Sequence, residues 1–228
     1  MVTQEFEVAV VGAGPAGLAA AATLGGHGVA TLVVERRAST STLPRATVAS
    51  TATMELLRRW GLEEQARERA IDVEWRAWAC PTLADADRGT AVDVGLPTRE
   101  QAALVSPTAP ACLPQDELEP LLEQHVASFS SVRLERGVDL LSLAREGDGR
   151  YLLSLGGAAG RRRVHARYVI GADGIRSTVR QALGIAADGD TRLAERLAVL
   201  FRGPVWDLVG PHRYGIYFCD GGRSFLPA

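Results

Sequence analysis

The hexapeptide Gly12-Ala13-Gly14-Pro15-Ala16-Gly17, set directly behind the apolar run Phe6-Glu7-Val8-Ala9-Val10-Val11, constrains this chain more than any other feature. Such a run suits a strand buried in a parallel sheet, and the glycines behind it mark a turn into a helix. Leu18 to Leu24 is Ala-rich and helical, Gly25-Gly26-His27-Gly28 closes the helix, and Val29 to Val34 makes a second strand that ends on Glu35. The whole is a compact βαβ unit.

Each glycine has a physical reason. Gly12 permits the tight turn out of the strand, Gly14 lets a diphosphate approach bare backbone, and Gly17 lets helix and sheet come close. The diphosphate then sits on the positive end of the helix, whose first turn holds Pro15 and Ala16. Glu35 lies 18 residues past Gly17 and can accept hydrogen bonds from the ribose hydroxyls of an adenosine, whereas it would repel a 2′-phosphate. A glycine-rich turn by itself also closes helices for structural reasons. Strand, turn, helix, second strand and terminal acid in register point to an adenine dinucleotide, without separating NAD from FAD.

Residues 8–34 carry no charged side chain apart from a protonatable His27 and are long enough to imitate a membrane span. Six glycines and Pro15 interrupt them, and no basic segment precedes them, so neither a membrane helix nor a signal peptide is expected. At 228 residues, 46% apolar and 23% charged, the composition is that of a globular protein with a real core. Its 25 basic and 27 acidic side chains provide no basic field for nucleic acid or an anionic membrane. All the basic residues are arginine, which removes Walker-type phosphate loops and lysine Schiff bases. Cys80, Cys112 and Cys219 show no Cys-x-x-Cys spacing and the four histidines are dispersed, as in a reduced, metal-free cytoplasmic protein.

Further along come Leu43-Pro44-Arg45-Ala46, a helical segment from Thr53 to Gly61, Leu113-Pro114-Gln115 heading a Leu-rich helix, and Val164 to Ile170 with strand composition. The last runs into Gly171-Ala172-Asp173-Gly174, with Ser177 able to cap a helix continued by Val179 and Leu183. Ligands of parallel sheets bind at the C-terminal strand ends, so Asp173 falls beside the dinucleotide; Asp-Gly is also an ordinary turn pair. Arg161-Arg162-Arg163 reads as the hairpin between strands 151–155 and 164–170.

With these four signatures in this order, the chain resembles the FAD-dependent aromatic hydroxylases built like p-hydroxybenzoate hydroxylase, especially the branch acting on phenols and polyketides. The resemblance implies an α/β fold: a Rossmann-like βαβ FAD-binding domain with a parallel sheet of the GR2 type, plus the start of a mixed or antiparallel β substrate domain. It puts the FAD-binding domain at 1–190, with a β excursion around 73–110, and the opening strands of a truncated substrate-binding domain at 191–228. Ala194 to Arg202 and Tyr214 to Phe218 are the strands expected there, with Trp75 and Trp78 on the same sheet or simply in the core.

The resemblance also assigns residues. Gly12, Gly14, Pro15, Ala16, Gly17 and Glu35 hold the adenosine diphosphate half, while Asp173 and Gly174 form the family's DG motif. Arg45, whose fork could reach the pyrophosphate or the flavin edge, is assigned to flavin contact and Gln115 to the flavin or its ribityl chain, though a surface arginine and a helix-terminal polar residue are the alternatives. Arg36 lies near the adenine ribose or is solvated. No catalytic side chain is assigned, because the cofactor carries the difficult step. NAD(P)H acts as a transient reductant, the flavin traps O2 as a C4a-hydroperoxide, and an aromatic small molecule is hydroxylated.

Two departures from the family stand out. Ala52 replaces an arginine that often precedes the Thr-Met-Glu of the early helix, and the chain reaches Ala228 before the GD motif that closes the flavin pocket. The chain alone is therefore expected not to turn over. The alternatives are a non-catalytic FAD-binding fragment completed by a second polypeptide, or another flavin oxidoreductase of this fold, such as an isoprenoid-chain reductase or a halogenase.

Overall fold

The structure is a computed structural model and describes residues 4–190, 193, 195 and 197–227. In chain order its elements are β1 (Gln4–Val11), α1 (Pro15–Gly26), β2 (Thr31–Glu35), α2 (Thr51–Arg59), α3 (Glu63–Arg69) and β3 (Glu74–Cys80). A 3-10 turn (Leu83–Arg88), β4 (Thr90–Val92), α4 (Arg99–Ala103), α5 (Gln115–Ala127), β5 (Val132–Arg136) and β6 (Val138–Arg145) follow. The chain continues through β7 (Tyr151–Gly157), β8 (Gly160–Gly171), α6 (Thr178–Ala182), α7 (Val205–Val209), β9 (Tyr214–Cys219) and β10 (Arg223–Phe225).

Two compact units share these elements, residues 1–42 with 119–191 and residues 43–118 with 192–228. In the first unit a six-stranded sheet runs β5-β2-β1-β8-β7-β6. Its β5, β2, β1 and β8 are mutually parallel, while β7 and β6 add an antiparallel edge. β1 lies between two parallel neighbours, which is why Val8 to Val11 reads as an unbroken apolar run: both faces are buried. Leu32, Val34, Leu153, Leu155 and Val164 complete the core around it. On α1 the buried face is small, and a Cβ on Gly25 would come within 2.6 Å of the Phe129 ring.

One expectation changes here. Arg161-Arg162-Arg163 is not the turn of the hairpin but the start of β8, paired with Gly156, Leu155 and Ser154. The turn is Ala158-Ala159, and Gly160 supplies the left-handed residue at φ +92°. Small residues between two glycines satisfy the turn, leaving the arginines free to line the strand, where Arg162 pairs with Glu135.

The second unit holds a four-stranded sheet, β10-β9-β3-β4, whose central strands β3 and β9 are parallel. Tyr217 is buried on it against Ala86, Val209, Leu83 and Val205, from the 3-10 turn and α7. Trp75 belongs to a neighbouring cluster with Val73 and Cys112, while Trp78 stacks on His212 and donates from Nε1 to the Ala86 carbonyl at 2.7 Å.

Residues 43–118 group with 192–228, and β3 pairs with β9 within that unit. The strand expected at Ala194 to Arg202 is partly outside the described residues, and 197–202 has no regular structure. No helix among the described residues is long and apolar enough to cross a membrane.

Candidate functional site

The candidate site lies in the first unit, at the C-terminal ends of β1, β2 and β8, where β1 pairs in parallel with β2 on one side and with β8 on the other. Crevices of this kind are where open α/β sheets bind ligands. Backbone bonds fix its geometry: Gly12 N donates to Val34 O at 2.8 Å and Ala172 N donates to Val11 O at 2.7 Å.

Each glycine of the turn has a separate steric reason. Gly12 has φ +104°, and a Cβ there would overlap the Ala172 carbonyl. A Cβ on Gly17 would overlap the Gly12 carbonyl, so helix and strand approach closely only without a side chain. Gly14 differs: its backbone is ordinary, with φ −77°, and a Cβ would meet nothing within 4 Å. The space beside it is open.

Gly14 is also the N-cap of α1, followed by Pro15, with no side chain capping the helix and no acid in its first turn. The positive end of a 12-residue helix therefore faces that open space with no side-chain cap.

Glu35 is buried at the tip of β2, 6% exposed. Its Oε2 accepts from Ala13 N at 2.8 Å, and its Oε1 accepts from Arg37 N at 2.9 Å and Arg37 Nε at 3.2 Å. Burial by itself would raise this carboxyl, but the amides of Arg37 and Ala13 and the Arg37 guanidinium outweigh it and hold the pKa below the ordinary value. The acid and the glycine turn are thereby one assembly, although 22 residues separate Glu35 from Ala13.

On β8's side, Asp173 Oδ2 accepts from Thr178 N at 2.6 Å and Val179 N at 3.1 Å, while Ser177 Oγ accepts from Arg180 N. Asp173 Oδ1 is buried with no protein partner, an acceptor lacking its donor. Gly174 has φ +78° and needs its glycine.

Arg36 is exposed beside Glu35. Arg45 and Gln115 belong to the second unit, where Gln115 N donates to Ala46 O at 2.7 Å and so draws their two loops together. Arg45 itself is exposed.

Sequence reading missed two residues. Arg37, to which the sequence assigned no role, clamps Glu35; an acceptor two residues before an amide at a strand end is the signal that could have found it. Arg136 stands opposite Glu35 in the β2–β5 register and grips Glu123 of α5 with two bonds, at 3.0 and 2.6 Å. The Glu123 bonds, with Glu35 and Glu119 nearby, raise its pKa against burial. Among the described residues no cluster of His, Cys, Asp and Glu could hold a metal ion.

A family model described as "FAD binding domain" matches residues 5–224. The tetracenomycin B2 monooxygenase-dioxygenase of Streptomyces olivaceus is 38% identical over 94% of this chain and 42% of its own length. The 2,4-dichlorophenol 6-monooxygenase of Delftia acidovorans is 32% identical over 94% of this chain and 37% of its own. The crystal structure of the flavin-dependent monooxygenase PieE in complex with FAD and substrate superposes with a TM-score of 0.82 at 26% identity, covering 98% of this chain and 41% of that one. The chain thus spans less than half the length of the curated relatives it matches.

Proposed function

Since the chain belongs to the FAD-binding-domain family of aromatic and polyketide hydroxylases, we propose that its first unit holds FAD and that it serves an NAD(P)H-dependent monooxygenase acting on a phenolic or polyketide ring in the cytoplasm. The observation that carries this reading is the start of α1 at Gly14: a helix terminus with no side-chain cap, facing open space and tied through Ala13 N to a buried carboxylate.

The residues present fit the cofactor. The amides at the start of α1, from Gly14 through Ala16 and Gly17, bind the diphosphate, and Pro15 removes one donor that would otherwise need a partner. Glu35 uses both lone pairs of Oε1 on Arg37 and one of Oε2 on Ala13, and the remaining one on Oε2 accepts from a ribose hydroxyl. Arg36 lies at the rim of the same sugar. Asp173 Oδ1, buried and unpartnered, accepts a hydroxyl of the ribityl chain, and Gly174 gives the turn that presents it. The family resemblance assigns the flavin to Arg45 and Gln115. When bound, FAD supplies the redox chemistry, taking electrons from NAD(P)H and passing one oxygen atom of O2 to the substrate. The protein's part is positioning, exclusion of water and orientation of the ring. The four-stranded sheet of the second unit begins the substrate-binding surface.

The test is the absorbance spectrum of the purified chain titrated with FAD, with and without Gly14→Ala. Stoichiometric binding is expected, and the added methyl, which meets no protein atom, should weaken it tenfold or more while leaving the melting temperature unchanged. FAD binding untouched by Gly14→Ala, or absent altogether, overturns the assignment. Oxidation of NAD(P)H accelerated by a phenolic ligand tests the activity itself.

A further inference from the structure

Two of the three cysteines, Cys80 and Cys219, are 139 residues apart in sequence and face each other with their sulfurs 3.9 Å apart. They end β3 and β9 and are direct partners in the parallel register. Neighbouring strands lie about 4.8 Å apart, which falls inside the Cα separation of about 4.4–6.8 Å that a disulfide spans.

We propose that Cys80 and Cys219 form a reversible redox pair, oxidised to a disulfide by a low-molecular-weight disulfide. The Cys219 thiolate attacks one sulfur of the oxidant, forming a mixed disulfide and releasing one thiol. Cys80 then gives up its proton and attacks the Cys219 sulfur, displacing the second thiol. Two protein thiols and one oxidant disulfide become one protein disulfide and two small thiols, a transfer of two electrons.

The order of attack follows from the surroundings. Cys80 is buried, whereas Cys219 is partly exposed. Burial first, then the Cys219 sulfur and the nearby Asp85 and Asp220 carboxylates, push the Cys80 thiol up to about 11, so it stays protonated at neutral pH and serves as the resolving partner. Cys112 is an internal control: it is buried elsewhere in the unit, with the Pro227 carbonyl as its partner at 3.9 Å. The bond would join the two central strands of the four-stranded sheet, and it stands independently of flavin binding.

The full 228-residue chain is incubated with oxidised glutathione, quenched in acid and alkylated, and its peptides are mapped by mass spectrometry. The expected result is joint loss of Cys80 and Cys219 to alkylation and one cross-linked peptide pair, reversed by dithiothreitol, with Cys112 alkylated throughout. Cys80→Ser should stop at a glutathione adduct on Cys219, and Cys112→Ser should behave like the parent. The oxidised chain should melt about 5–15 °C higher than the reduced one. A lasting Cys219 adduct in the parent with Cys80 still alkylated, a cross-link through Cys112, or no loss of thiols would each overturn the proposal.

Discussion

Glycines that look alike in the fingerprint have different work. Gly17→Ala drives a methyl into the Gly12 carbonyl, backbone against backbone, so it should destabilise the chain by about 3 kcal/mol or more, read as a lower urea midpoint. Gly14→Ala spares the fold, as argued above, so the two variants separate a packing requirement from a binding one. Glu35 supplies a pH signature. Its folded pKa lies below the ordinary 4.5, so the stabilisation it contributes is complete above 4.5 and lost as pH falls through the lower folded value. Urea midpoints of the parent and Glu35→Gln should therefore differ by a constant amount above 4.5 and draw together as pH falls below it; a gap that does not narrow with acidification would show that the carboxylate is not held as described. Residue types and spacing made the glycines and Glu35 legible. Arg37 was not, because a side chain curling back on its own strand end leaves no periodic trace.

Among elements, those built from local signals could be read directly. β1, α1 and β2 follow from one apolar run, one set of glycines and a second run. α5 starts at Gln115 as the Leu spacing requires. α2 begins at Thr51 because Ser50 Oγ accepts from Thr53 N, and Ser50→Ala should cost about 1 kcal/mol, measured by thermal unfolding. Elements whose existence depends on a distant partner were harder. The alternation around 197–201 looks like a strand, yet the sheet of that unit ends at β10 on one side and β4 on the other. With no ladder to join, Leu197 stays 91% exposed, and a lone strand cannot satisfy its backbone groups. The arginine triplet shows the reverse error: charge suggested a turn, but on an exposed strand face charged side chains are tolerated as well as in a loop.

At the scale of the molecule, what escaped the sequence is the pairing of β3 with β9. Neither β3 nor β9 announces its neighbour, since parallel partners carry no complementary code beyond apolar faces of matching length. Hydrogen exchange should follow the resulting hierarchy. Val8 to Val11, flanked by parallel strands on both sides, should retain their amides longest, and residues 197–202, outside any ladder, should exchange fastest. Comparable protection in the two stretches would contradict the sheet order.

Gln4 pairs with Val164, which has a consequence for biosynthesis. A ribosome adds about 5–20 residues each second, so β1 leaves the exit tunnel roughly 8–30 s before its second neighbour is made. During that interval it has β2 on one flank and an open apolar edge on the other, the kind of surface that chaperones shield and aggregates recruit. A faster-translated message, rather than any amino-acid change, is the simplest way to alter the yield of native chain.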